Sequence, residues 1–252
     1  MLTLTLTTVA AVLKMVFAGI AAAIVLRCRQ DGSMAMTAWR WALGAFLVSG
    51  LSGVFQAVWA VMAVRGGAGS DVWDSYMEWM PAMNYSRFTV MVGCGITLAA
   101  LPFLPVRARD ISLTIICLVS TVLLLPGIAA GMIEGAYVGE RHAPNLAVWQ
   151  VVETVALLAA LFSAVVRQTM DSWLWLALCI YAIRQAANAI IWAASTTYGV
   201  EGAWHAPFWM SAAVGITMWS IMIGMAVKRL WLARQGIPAM TIFALEPHVD
   251  SR

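Results

Sequence analysis

Long apolar runs recur along the whole chain, and they constrain its fold more than any other feature. Several reach about 20 residues, which is enough for an α-helix to cross a bilayer. Only 11% of the 252 residues are charged and 62% are hydrophobic, whereas a soluble domain needs roughly 25% charged residues. The sequence therefore predicts an all-α integral membrane protein whose main partner is the lipid bilayer. It leaves no room for a soluble enzyme domain.

We predict seven transmembrane helices in a single domain at 1–235, followed by a short cytoplasmic tail at 236–252. Because Lys14 interrupts the first apolar run and no basic stretch precedes it, we expect a retained helix there rather than a cleaved signal peptide. The connection at 65–82 holds a Trp-rich stretch that is predicted to lie on the outer face, either as a short amphipathic helix or as a packed loop. The helices are predicted at about 5–27, 38–64, 83–106, 110–133, 145–167, 172–196 and 207–232.

The distribution of basic residues predicts the orientation. Ten of the fifteen Lys and Arg residues fall on one side of the predicted helices, and the opposite side carries three together with six acidic residues. Since cytoplasmic connections are enriched in Lys and Arg, the N-terminus is predicted to lie outside and the C-terminus in the cytoplasm of a bacterial-type inner membrane. The ten are Arg27, Arg29, Arg40, Arg107, Arg109, Arg167, Lys228, Arg229, Arg234 and Arg252.

Short motifs recur in the two halves of the chain. The third and seventh predicted helices share Phe-x6-Gly-Ile-Thr, starting at Phe88 and at Phe208, and the second and sixth share Trp-x-Trp, starting at Trp39 and at Trp173. The order predicts a 3+1+3 parallel repeat, an arrangement found among membrane transporters. The alternative is a chance coincidence of helix ends that obey the same interfacial rules.

The 3+1+3 plan resembles that of the SWEET sugar transporters. However, the first, second, fifth and sixth predicted helices contain no proline, where that family has its hinge prolines. A microbial rhodopsin would carry a lysine in the middle of the seventh helix, and here that helix has only Lys228, near its end. We therefore assign no family from the sequence.

Three ionisable residues lie inside predicted helices, namely Lys14, Glu153 and Arg184. Each costs roughly 2.5–3.5 kcal/mol on insertion scales, so such residues are usually paired and often functional. Helical spacing places them in one layer of the membrane, on inward-facing stripes. Amides accompany them at Gln56, Gln150, Gln185 and Asn188.

These residues predict a polar pocket that opens to the outside. In this hypothesis Glu153 is held between Lys14 and Arg184, and the excess of positive charge receives an anionic or zwitterionic solute. Two alternatives remain open: an ion pair that only fixes helix packing, and a charge or proton relay. The predicted ligand-binding residues are Lys14, Gln56, Glu153, Tyr181, Arg184 and Asn188.

The sequence thus favours a transporter or facilitator of a small polar or anionic solute. The alternative is a heptahelical sensor or accessory subunit that binds a ligand or a membrane-protein partner, including a second copy of the chain, through its Trp-rich outer loops. No catalytic motif is found, so an enzyme ranks last. The three histidines lie outside the predicted helices and the cysteines are scattered singly, so we expect no metal or cofactor. The small net charge gives no indication of nucleic-acid binding.

Overall fold

The computed structural model describes residues 2–28, 33–67, 69–104, 142–195 and 205–237, together with seven helical positions between 111 and 122. Within these residues the chain is all-helical and contains no β-strand. The predicted helix at 110–133 lies outside the described residues, apart from those seven positions. The helices are α1 (Leu2–Arg27), α2 (Met34–Gly66), α3 (Asp71–Ala100), a 3₁₀ turn (Leu101–Phe103), α4 (His142–Arg167), α5 (Ser172–Ser195) and α6 (His205–Arg234).

Five of these helices are long and apolar enough to cross a membrane. α3 carries a shorter apolar stretch, Arg87–Phe103. This composition fits a membrane-embedded, multi-pass protein. The five stretches are Thr8–Arg27, Met34–Gly66, Asn145–Arg167, Ser172–Ala194 and Met210–Arg234.

α3 begins much earlier than the sequence suggested. The stretch after Ser70 was expected to lie on the membrane surface, but it is the first part of one continuous helix. The Ser70 hydroxyl accepts a hydrogen bond from the backbone N–H of Trp73 at 3.2 Å, and Asp71 and Asp74 occupy the first turn. A capping serine and acidic residues near the positive end of the helix dipole both stabilise a helix start at this point.

The six α-helices form a closed ring in chain order, in which α6 packs against α1. Most neighbours are antiparallel, but two pairs run parallel. α3 and α4 are parallel, because Phe88 stacks on Trp149 and, further along, the Ser163 hydroxyl donates to the Ala99 carbonyl oxygen. α6 and α1 are the other parallel pair. We call the end where α1, α3, α4 and α6 finish the Arg27 end, and the opposite end the Gly66 end.

Four aromatic rings from four helices meet inside the ring. Phe17, Phe46, Tyr181 and Trp219 are at most 2% exposed, and their ring centroids lie 5.0–5.8 Å apart. Tilted and edge-to-face pairs of this kind add to the stabilisation that burial alone provides. We call this set the aromatic layer, and it lies about one turn closer to the Arg27 end than the charged residues described next.

Candidate functional site

A layer of charged and amide side chains crosses the interior about halfway along the helices. Lys14 of α1 lies about 20 Å from the Arg27 end at the usual helical rise. Its ammonium donates to the Ser49 hydroxyl of α2 at 3.0 Å and lies 5.5 Å from the centre of the Trp219 ring. Lys14 therefore points into the bundle and rests on the aromatic layer.

Glycine allows α1 and α2 to approach closely at this level. A Cβ atom at Gly50 would lie only 2.7 Å from the Met15 sulfur. Small residues commonly let transmembrane helices pack at short distance. The Met15 side chain of α1 thus fills the space that Gly50 leaves on α2, beside the Ser49 hydroxyl, which is 1% exposed.

Glu153 of α4 is completely buried and is held by neutral side chains of α5. Its carboxylate accepts a hydrogen bond from the Tyr181 hydroxyl at 2.7 Å and another from the Gln185 amide. The Gln185 oxygen in turn accepts from Arg184 at 2.8 Å. Among the described side chains, neither Lys14 nor Arg184 lies within 4.0 Å of the carboxylate. The direct contacts of Glu153 are therefore neutral side chains, while the charges of Arg184 and Lys14 act on its carboxylate from a longer distance.

Arg87 of α3 is a third cation of this layer, and sequence reasoning missed it. Its charge acts on Lys14, Arg184 and Glu153, and its guanidinium reaches Gly53 of α2, where a Cβ would lie 3.5 Å from Nη1. Arg87 is one of the three basic residues that the sequence assigned to the outer side, because the helix was expected to begin near residue 83. With the start at Asp71, Arg87 lies about 24 Å along α3, and the capping pattern at Ser70 was the signal that could have revealed it.

The layer therefore carries more positive than negative charge. Lys14, Arg87 and Arg184 act on one another and on the single carboxylate of Glu153. The three cations are half-buried, whereas Glu153 has no exposed surface. We call Lys14, Arg87, Glu153 and Arg184 the polar layer; it has the charge needed to attract an anion into an apolar bundle.

Gln56 lies two turns closer to the Gly66 end of α2 than Ser49. It shares a hydrogen bond with Tyr76 of α3, and the charge of Arg87 also acts on Tyr76. Burial raises the pKa of the Tyr76 hydroxyl above its ordinary value, which favours its neutral form. Gln56 is thus joined to the polar layer through Tyr76 and extends it towards the Gly66 end.

Two buried amides continue the polar surface on the other side of the ring. Gln150 and Asn188 lie about one turn closer to the Gly66 end than Glu153 and Gln185, and they are 5% and 1% exposed. Within the described part of the chain, their side-chain oxygens and the Nε of Arg184 have no hydrogen-bond partner. An unpaired buried polar group costs roughly 1–3 kcal/mol. These atoms are therefore available to hydrogen-bond a water molecule or a polar solute.

A second polar cluster, which sequence reasoning also missed, lies at the Arg27 end. Asp171 caps α5 by accepting from the backbone N–H groups of Trp173 and Leu174 at 2.9 and 3.3 Å. Its other oxygen lies 3.1 Å from Nε of Arg229, and both residues are 1% exposed. The Trp39 indole N–H also stabilises the carboxylate, although it lacks the geometry of a full hydrogen bond. Arg229 was expected only to set the orientation.

Burial and charge act in opposite directions on Asp171. Burial raises the pKa of its carboxyl, whereas the charge of Arg229 and the two backbone N–H groups work against that shift. Arg229 also donates to the Ile237 carbonyl oxygen at 3.3 Å. The pair thus fastens the start of α5 to α6 and to the residues that follow α6.

The residues that the structure describes contain no group of three or more His, Cys, Asp or Glu side chains that could hold a metal ion. Comparisons with family models, with curated proteins and with solved structures found no match. The polar layer, with its three cations and one carboxylate, is the basis for the function proposed below.

Proposed function

We propose that this protein is a transporter or facilitator that binds a small anionic or zwitterionic solute at the polar layer. The observation that carries the proposal is the surplus of half-buried positive charge in the middle of an apolar helix bundle. Charges at such depth are expensive, and in membrane proteins they commonly mark a solute or ion pathway. A bound anion offsets the repulsion among the three cations.

Each predicted site residue has a role in this proposal. Lys14 and Arg184, joined by Arg87, bind the anionic group of the solute. Asn188 and Gln56 donate and accept hydrogen bonds on the Gly66 side, where polar side chains continue. Glu153, held by Tyr181, limits the positive charge and offers a partner for an ammonium group if the solute is zwitterionic.

The pocket is proposed to open towards the Gly66 end, which is the outside in a seven-helix topology with the N-terminus out. Support comes from the order of the layers. The aromatic layer lies on the Arg27 side of Lys14, whereas amides and Tyr76 lie on the Gly66 side. A solute therefore meets hydrogen-bonding groups from one end and packed rings from the other.

The 3+1+3 repeat is part of the same proposal. In the ring, α1, α2 and α3 lie opposite α4, α5 and α6, and the two halves alternate in direction in the same way. A twofold axis through the centre of such a ring would pair the parallel contact between α3 and α4 with the parallel contact between α6 and α1. The predicted helix at 110–133 would return the chain to the Gly66 end before α4.

Flux and binding measurements test the proposal. The purified protein is reconstituted into proteoliposomes for uptake and counterflow, and amino acids, organic acids and sugars are screened by thermal shift. We expect flux of an anionic or zwitterionic compound that falls by about tenfold or more in Arg184→Gln, since a hydrogen bond to a charged group contributes roughly 1.5–3 kcal/mol.

Arg65→Gln is the matched control, because Arg65 is an exposed arginine in the last turn of α2. Its flux should equal that of the unmodified protein. Binding without flux would overturn transport in favour of a sensor. If no compound binds or crosses, the polar layer has only a structural role and the proposal is wrong.

A further inference from the structure

A cavity at the Arg27 end, well away from the polar layer, has the features of a second binding site. It lies between the parallel helices α1 and α6, has a volume of about 360 Å³, and is lined by Ala23, Arg27, Leu230 and Arg234. On each helix an apolar residue is followed, one turn later, by an arginine. Along the helices, Ala23 and Leu230 therefore lie nearer the polar layer, and Arg27 and Arg234 lie nearer the Arg27 end.

Arg27 and Arg234 line the same cavity from two different helices. Among the described side chains, no carboxylate lies within 4.0 Å of Arg27 or of Arg234. Two like charges that share one cavity repel each other, and each lies in the last turn of its helix. An anion between them would remove this repulsion and accept hydrogen bonds from both.

The surface around this cavity is suited to lipid. Leu26, Val227 and Trp231 are 71%, 50% and 48% exposed, and the ammonium of Lys228 lies 4.3 Å from the centre of the Trp231 ring. Exposed aliphatic side chains that give way to a tryptophan and basic residues are typical of the level where acyl chains meet headgroups. An occupant with an apolar tail and an anionic head would match both parts of the cavity.

We propose that this cavity binds an anionic phospholipid of the surrounding membrane. Arg27 and Arg234 hold the phosphodiester between them, and the acyl chains lie along the seam between α1 and α6. Arginine suits this role, because its planar guanidinium can form two parallel hydrogen bonds to phosphate oxygens. Basic pockets between transmembrane helices bind lipid headgroups by the same chemistry. The site is independent of the solute site at the polar layer.

Native mass spectrometry and thermal shift on the full-length protein test this site. The protein is titrated with phosphatidylglycerol, and in parallel with phosphatidylcholine, whose headgroup carries no net charge. We expect stronger binding and stabilisation by phosphatidylglycerol. Arg27→Gln or Arg234→Gln should lower that affinity by about fivefold, and the double variant by on the order of thirtyfold.

Arg167→Gln is the matched control. Arg167 is also in the last turn of a helix at the same end, but its guanidinium lies over the Phe103 ring at 5.4 Å. The affinity of this variant for phosphatidylglycerol should not change. Arg27→Lys with Arg234→Lys should bind the lipid more weakly than the unmodified protein but more tightly than the double Gln variant, because the charges remain while the parallel hydrogen bonds are lost. Both lining arginines are exposed, so these variants should fold.

Three results would overturn the lipid site. Equal binding of the two lipids would show that the net negative charge of the headgroup is not recognised, since both lipids carry a phosphodiester and only phosphatidylcholine also carries a cation. An unchanged affinity in the double Gln variant would place the lipid elsewhere. Equal stabilisation by inorganic phosphate, lost in the same double variant, would show that the site takes a free anion rather than a lipid.

Discussion

Replacing Asp171 by Asn removes the charge opposite Arg229 and changes little else. The two side chains have nearly the same shape, and Asn caps a helix about as well as Asp does. The hydrogen bonds from the N–H groups of Trp173 and Leu174 can therefore be kept. The Arg229 guanidinium then stays at 1% exposure without a counter-charge.

The expected loss of stability is about 3–5 kcal/mol, the usual cost of leaving one member of a buried ion pair alone. The remaining hydrogen bond from Arg229 to Ile237, at 3.3 Å, is too long to offset this loss. If Arg229 is also replaced by Met, the unpaired charge disappears and most of the stability should return. The double variant should therefore be more stable than Asp171→Asn alone.

Unfolding in detergent, followed by tryptophan fluorescence against denaturant, measures these free energies. The unmodified protein, both single variants and the double variant form one thermodynamic cycle. If Asp171→Asn loses less than about 1 kcal/mol, the carboxylate is not needed as a counter-charge. If the losses in the cycle simply add, the two side chains do not interact, and the proposed fastening of α5 to α6 is wrong.

Two further sets of variants test the helix packing and the polar layer. Gly95→Ala should destabilise the protein by about 1–3 kcal/mol, because the new Cβ would lie 2.9 Å from the backbone of Ala156. Gly224→Ala is the control, since its Cβ would meet nothing within 4 Å, and the same unfolding assay should show no loss of stability. Equal effects of the two variants would contradict the close packing of α3 on α4. Lys14→Met and Glu153→Gln should each lower folded yield or solute flux, and the double variant should recover part of it; full tolerance of both single changes would show that the two charges are not coupled.

The apolar helices could be predicted from the sequence, because each one is a continuous run of about 20 apolar residues. The start of α3 could not be found in this way, because three acidic residues interrupt the stretch from Asp71 to Glu78. The cap at Ser70 is the signal that a continuous helix begins there. The closure of α6 on α1 was equally hidden. A transmembrane helix is apolar towards lipid as well as towards its neighbours, so its pattern does not show which face is buried.

Most residues of the candidate site could be predicted from the sequence, but the contacts between their side chains could not. Lys14, Glu153 and Arg184 stand out because ionisable residues inside apolar runs are rare. Their partners depend on side-chain rotamers: Glu153 binds Tyr181 and Gln185 rather than a cation. Asp171 and Arg229 were missed for another reason. Charges near helix ends usually set orientation, and only the packing of α5 on α6 shows that these two are buried together.

The aromatic layer places a mainly apolar section inside the bundle. The four packed rings from α1, α2, α5 and α6 are each at most 2% exposed, and their mainly apolar surface is unfavourable for an ion. Lys14 joins the polar layer to the aromatic layer, because its ammonium lies 5.5 Å from the centre of the Trp219 ring. An anion bound to this ammonium would weaken the cation–π contact with the Trp219 ring. In the proposed transporter, solute binding at Lys14 would therefore be coupled to the packing of the aromatic layer.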